Sequence, residues 1–263
     1  MGCGGSKQAR TSPGAGPRPT PRPQQQPGAR LNIGSPQQVM IHVPRNRVDQ
    51  HGELLQQVSH DIGRDELAAA LAYVAQYIRQ RRSRITVVAV GGAVNTLYLR
   101  SRGSTQDIDI FGADFNNDAR VLLDRAMHAA QQRFPALGTD WLNTETQMWM
   151  PGPLHSELTR VAKVQNVKIF ERPGLTIYAA PWHYAFTAKI SRILTGGDQA
   201  RSYDMDDALT YIHEYIRAHG NRPVPINTAL QWARQFHHEV TANVLRDRVN
   251  RLYRSRYGTA AFV

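Results

Sequence analysis

Apolar side chains in "RDELAAALAYVAQYIRQRRS" fall at Leu67, Ala70, Leu71, Val74 and Ile78, a spacing that predicts an amphipathic helix. Ile85–Val90, "ITVVAV", is apolar but for Thr86 and predicts a buried strand. "AVNTLYLRSR" predicts a short helix, and "DIDIF" from Asp107 to Phe111 a strand with alternating faces. "NNDARVLLDRAMHAAQQRF" predicts a helix with Asp118 near its start. "VAKVQNVKIF" and "LTIYA" predict two strands joined by a turn at "RPG". Beyond Pro181 the pattern turns helical, in "PWHYAFTAKISRIL" and then "YDMDDALTYIHEYIRAHG", which stops at Gly220. "NTALQWARQFHHEVTANVLRDRVNRLYRSRYG" predicts one long helix or two. Strands dominate the first half and helices the second, so the pattern predicts an α+β fold: a mixed sheet flanked by helices, with a helical C-terminal part.

Ahead of this lies a stretch of different character. Residues 9–43 are Pro, Gly, Gln and Arg with few large apolar side chains, which predicts a linker unable to build a core. "PRPTPRP" within it also suits a polyproline-binding groove. The expected organisation is a tail over 1–46, a core over 47–180 and a helical region over 181–263. The chain opens "MGCGGSK", in which Gly2 and Ser6 fit N-myristoylation, and Cys3 stands where a palmitoyl chain is commonly added. One myristoyl chain binds membranes only marginally, so Cys3 or the scattered Lys7, Arg10, Arg18, Arg22 and Arg30 would supply the second signal. This predicts a eukaryotic, cytoplasmic protein held peripherally on a membrane face.

Charge and cysteine count narrow the chemistry. Lys and Arg number 32 against 21 Asp and Glu, a net charge of +11 that suits an anionic partner. A single cysteine excludes an intrachain disulfide framework and a cysteine zinc site. No run approaches the length of a membrane-spanning helix.

Asp107 and Asp109 are two apart on a strand, so both carboxylates face one side, while Ile108 and Ile110 face the other. Adjacent carboxylates repel unless a cation lies between them, either a divalent metal or a lysine. Gly91 and Gly92 follow a strand and precede a helix, where glycine admits a phosphate and the helix start offers free N–H groups. The same glycines also suit close strand-to-helix packing. Mg²⁺ (or Mn²⁺) takes a few carboxylate oxygens together with substrate phosphates. The joint order predicts a nucleoside triphosphate site.

"VGGAVNTLYLRSRGSTQDIDIF" resembles the signature of the nucleotidyltransferase superfamily, with its polymerase-beta-like fold. "LTIYAAPWHYAFTAKISRI" and "YDMDDALTYI" resemble later motifs of the branch that includes the bacterial abortive-infection nucleotidyltransferase toxins. The resemblance covers roughly Thr86 to Ile212. It implies that Gly91, Gly92 and Ser104 hold the triphosphate, that Asp107 and Asp109 are the metal ligands and catalytic carboxylates, and that Lys189 and Arg192 face the phosphates. It implies a substrate-positioning part for Asp204 and Asp207, whose place near a helix start is also explained by helix-end electrostatics. The implied reaction moves a nucleotidyl group to an acceptor hydroxyl on RNA, a protein side chain or a small molecule. The alternative is a catalytically degenerate, membrane-tethered binding module.

The family pattern adds a third carboxylate on a later strand. The expected strand, "VQNVKIF", offers Gln165, Asn166 and Lys168 and no acid. Glu171 just beyond it and Glu145 in "LNTETQMW" are the substitutes. Lys168 is also placed to pair with the aspartates directly. Adjacent His237 and His238 on a helix point about 100° apart, which disfavours a shared metal. Arg246, Arg248, Arg251, Arg254 and Arg256 predict a basic last helix, either solvated or in contact with RNA or acidic lipid. Trp182, Tyr184 and Phe186 are expected in the core.

Overall fold

A computed structural model describes Met1 and residues 58–112, 116–144, 146, 150, 152–197 and 200–263. The fold is α+β, with helices around a mixed five-stranded sheet. A short β1 (Ile62–Gly63) leads into α1 (Arg64–Gln80), which buries Leu67, Ala70, Leu71, Val74, Ala75 and Ile78. Strand β2 (Ile85–Val90) follows, then a single helical turn α2 (Gly92–Val94) that widens into a π-turn over Asn95–Leu99 and ends at Arg100 with a left-handed φ of 55°. Next come β3 (Ser104–Thr105), β4 (Ile108–Phe111), α3 (Asn117–Arg133) and β5 (Leu142–Asn143). Asn116 caps α3, its side chain accepting the Ala119 N–H at 2.9 Å.

Helix α4 (Gly152–Gln165) precedes the hairpin of β6 (Lys168–Arg172) and β7 (Leu175–Ala179). The strand expected from Val161 therefore begins only at Lys168, and Val161–Gln165 are helical. Valines favour strands only weakly against tertiary context. Here Leu158 and Ala162, four apart, are buried on one helix face while Val164 is 74% exposed. Asn166, with φ 54°, then takes the left-handed turn that ends the helix.

The sheet order is β5-β4-β2-β7-β6. β2 runs parallel to β7 and antiparallel to β4, while β4 runs parallel to β5. Strand β2 is central, with Val87, Val88 and Ala89 buried. A separate antiparallel pair joins β1 to β3. After β7 the chain is helical: α5 (Trp182–Thr195), α6 (Asp204–Ala218) and α7 (Ile226–Phe236). His237 adopts a left-handed φ of 56° and stops α7, so the long segment is two helices, the second a π-turn over Val244–Val249 running into α8 (Asn250–Tyr257). Asn250 ties down the C-terminal residues. Its Oδ1 accepts from Ala261 and Phe262 N–H at 3.0 and 2.9 Å, and its Nδ2 donates to the Phe262 carbonyl at 2.9 Å. Trp182, Tyr184 and Phe186 are core residues.

Two histidines are built into the helical part in neutral form. His183 packs among the rings of Tyr215, Trp232 and Phe236, and burial, with the nearby His219, pushes its pKa down to about 4; Glu157 opposes weakly. His238 lies against the Tyr184 and Phe236 rings and hydrogen-bonds the Thr187 hydroxyl at 2.8 Å; burial, with His237, lowers it to about 3. A folded-state pKa below the unfolded value of about 6.5 means stability is intact above that pH and is lost as pH falls through 6.5 toward 4 and 3. The thermal midpoint is expected to fall between pH 7 and pH 4.5, each histidine contributing on the order of 1–2 kcal/mol. A flat midpoint across that window refutes the assignment.

Candidate functional site

The parallel strands β2 and β7 bring their C-terminal ends together, and antiparallel β4 brings its N-terminal end to the same edge. Val90 stands opposite Asp109, so the glycine turn that follows Val90 lies beside the carboxylate pair. Asp107 and Asp109 are both half-buried on one side, and Ile108 and Ile110 are fully buried on the other. α5 starts at this edge as well, after Ala180 donates its N–H to the Ala89 carbonyl at 2.9 Å. Gln165 of α4 locks the junction, accepting the otherwise unsatisfied Trp182 N–H at 2.9 Å and donating to the Ala180 carbonyl at 3.2 Å.

The two glycines serve different ends. Gly91 has φ 72° and ψ −136°, and a Cβ there would meet open space, so backbone conformation alone demands glycine. A Cβ on Gly92 would overlap Thr105 Oγ1, so that position is needed for close packing. The Gly91 carbonyl accepts from Asn95 Nδ2 at 3.3 Å and from the Tyr211 hydroxyl at 3.2 Å. Asn95, fully buried, also donates to the Tyr211 oxygen at 2.7 Å and accepts from Ser101 Oγ at 3.1 Å. Burial raises the Tyr211 pKa, which keeps its proton in place as a donor. A tyrosine from α6 thus holds the turn at the sheet's edge.

Behind the turn lies a buried ionic cluster. Lys189 Nζ is 2.7 Å from Asp204 Oδ1 and 2.6 Å from Asp207 Oδ2, with all three residues at most 5% exposed. Arg102 reaches Asp207 with two nitrogens, Nε at 3.1 Å from Oδ1 and a terminal nitrogen on Oδ2. Arg192 meets Asp204 Oδ1 at 2.6 Å, and the Arg201 backbone N–H donates to Asp204 Oδ2 at 2.9 Å. Burial pushes the Asp204 carboxyl up, but Lys189, the Arg201 N–H and Arg192 outweigh it and hold the group below its usual value. Burial and Arg192 lower the Lys189 ammonium, opposed by the two carboxylates. Arg102, Lys189 and Arg192 against Asp204 and Asp207 leave one positive charge over.

Beside this cluster lies a groove of about 670 Å³, lined by Asp61, Arg102, Ser104, Gln106, Arg201 and Tyr203, among others. Arg102 stacks on the Tyr203 ring at 3.6 Å. The Tyr203 hydroxyl raises the Arg201 pKa, and Asp107 and Asp204 add to that, so Arg201 lies in electrostatic reach of both acidic sites. Burial raises the Tyr184 pKa and the Asp109 charge adds to it, so Tyr184 of α5 lies within electrostatic reach of the second carboxylate. A groove with two arginines against Asp61, and with the Asp107 and Asp109 carboxylates just beyond its Gln106 lip, suits a phosphate ester and a divalent cation.

A family described as a domain of unknown function, DUF7582, matches residues 61–260. The chain belongs to that family. The DUF7582 match runs from β1 through α8, so the sheet edge and the helices over it are parts of one family unit. No curated protein and no solved structure matches the chain.

Within the DUF7582 domain, Gly91, Gly92, Asp107 and Asp109 meet at the sheet edge, and Ser104 lines the neighbouring groove. Lys189 and Arg192 are brought there together with Asp204 and Asp207, but as partners of those acids. The strand expected to carry a third acid is misplaced. β6 is the far edge of the sheet, three positions from β4, because β2 and β7 lie between. Glu171 is there paired with Lys168 at 2.6 Å, so neither reaches the aspartates. On its side away from β2, β4 is flanked by β5, where the residue in register with Asp109 is Asn143, 2% exposed. Glu145, Gly2 and Cys3 lie outside the described residues. Sequence reading missed Asn95, Arg102, Asn143, Arg201, Tyr203 and Tyr211. Only the arginines carried a signal, as cations in polar loops beside recognised motifs.

Proposed function

We propose that this chain is a metal-dependent nucleotidyltransferase of the kind its glycine turn and Asp-x-Asp strand resemble. The observation that carries the reading is the register of Val90 with Asp109, which sets the left-handed Gly91 turn beside two same-facing carboxylates. Among the described residues no group of three or more His, Cys, Asp or Glu would hold a metal unaided. Two carboxylates fit Mg²⁺ or Mn²⁺ held jointly with phosphate oxygens, and Asp107 and Asp109 would hold it. Such an ion neutralises charge that develops on the transferring phosphoryl group. The Gly91 turn admits the triphosphate against the backbone, and Arg201 attracts it into the groove. An acceptor hydroxyl attacks the α-phosphate in line. The new O–P bond forms as the bond to pyrophosphate breaks, and the hydroxyl proton leaves to a base. The acceptor is RNA, a protein side chain or a small molecule.

Asn143 favours a second reading, a nucleotide-binding module without transfer, because an amide stands where a carboxylate would complete the metal site. Incubating the full chain with Mg²⁺ and each labelled triphosphate, with RNA and protein acceptors present, separates the two. Binding with pyrophosphate release supports the transferase. Binding without release, with release appearing in Asn143→Asp, supports the degenerate module. No binding of any triphosphate refutes both.

A further inference from the structure

The C-terminal helix presents charge that the nucleotide site does not use. From Val244 to Tyr257 the chain holds Arg246, Arg248, Arg251, Arg254 and Arg256 against a single acid, Asp247. All five arginines are exposed. Arg248, Arg251 and Arg254 recur every three residues and so share one side. Elsewhere on the domain, Arg160 is paired with Glu157, Lys168 with Glu171 and Arg217 with Glu214. Among the described residues, Arg256 has only Asp206 at 3.8 Å, and no ion pair neutralises Arg246, Arg248, Arg251 or Arg254.

We propose that this arginine face docks the domain on an anionic lipid bilayer. The helix turns its apolar and aromatic residues inward. Leu245, Val249 and Tyr253 are buried, and Tyr257 stacks on His213 with centroids 3.9 Å apart. Its one half-buried ring, Tyr257, is already engaged by His213 and lies 5.3 Å from the Arg256 guanidinium, so the face offers no open ring on which an unpaired base would stack, the feature that single-stranded RNA binding uses. It also has no apolar edge to insert, and among the described residues no helix is long and apolar enough to cross a membrane. What remains is a surface of five exposed arginines against one exposed acid, Asp247, which an anionic headgroup layer satisfies without specific geometry. The Gly2 and Ser6 pattern, which by itself implies only a single myristoyl chain, calls for a second membrane signal, and this face supplies one within the folded domain. The inference does not depend on the nucleotide reading.

The test is flotation of the full chain carrying Gly2→Ala, so that acylation is absent, with vesicles of phosphatidylcholine alone or mixed with phosphatidylserine. Binding is expected only to the mixed vesicles, and is expected to fall as salt rises past the roughly 10 Å screening length of 0.1 M. Arg248→Gln/Arg251→Gln/Arg254→Gln is expected to lower the partition roughly tenfold or more. The corresponding lysine triple variant should retain binding, which separates charge from folding. A charge-matched set on the exposed Arg64, Arg79 and Arg84, each changed to Gln, should lower it by less than about threefold. Equal loss in both glutamine sets, equal binding to phosphatidylcholine alone, or tighter binding to a single-stranded RNA that the C-terminal triple variant abolishes would each overturn the proposal.

Discussion

Asp207→Ala is expected to lower the thermal midpoint by roughly 10 °C. Asp207 is 2% exposed and is bound from two sides, by Lys189 at 2.6 Å and by both reaching nitrogens of Arg102. Removing one partner of a buried ion pair costs about 3–5 kcal/mol, because the remaining cations stay desolvated and unpaired. Here the cluster already holds three cations against two carboxylates, so losing one carboxylate leaves three against one. Asp206→Ala is the internal control. Its side chain is 76% exposed with one distant arginine, and the change should cost less than about 0.5 kcal/mol. Thermal melts of the two variants at neutral pH decide the matter. Midpoints within a degree or two of each other would show that the buried network does not hold α5, α6 and the Arg102 loop together.

Asp107→Ala/Asp109→Ala is expected to abolish Mg²⁺-dependent triphosphate binding, with affinity falling about 100-fold or more. The same variant should melt within a few degrees of wild type, because both side chains are half-buried at a strand end rather than in the core. The contrast with Asp207 is the informative part: one acidic pair is assigned to ligand, the other to fold. Equilibrium titration of labelled triphosphate with and without Mg²⁺, on both proteins, reads the effect. Unchanged metal-dependent affinity in the double variant would remove the carboxylates from the site and with them the proposed mechanism. A loss of affinity that occurs equally without metal would instead point to the groove.

Much of the fold was legible because periodicity reports burial directly. α1 carries its apolar residues at helical spacing, and Ile85–Val90 is apolar except at Thr86 because both faces of a central strand are largely covered. Asp107 and Asp109 announce themselves because charged residues interrupt an apolar strand at the period of a pleat. The α4 boundary was hidden by its valines, whose local preference loses to the buried Leu158 and Ala162. β5 contributes only Leu142 and Asn143, too short for any period to register.

The chain's own order of residues determined which chemistry is available: the glycine turn, the same-facing aspartates, the basic last helix and the acylation pattern at the start. Tertiary structure alone decided which groups meet. Strand order is a long-range property, and inserting β2 and β7 between β4 and β6 removed Glu171 and Lys168 from the aspartates and set Asn143 beside Asp109. Likewise Lys189, read from its motif as a phosphate ligand, is held between Asp204 and Asp207, because α5 and α6 pack against each other and a buried ammonium must be matched by carboxylates.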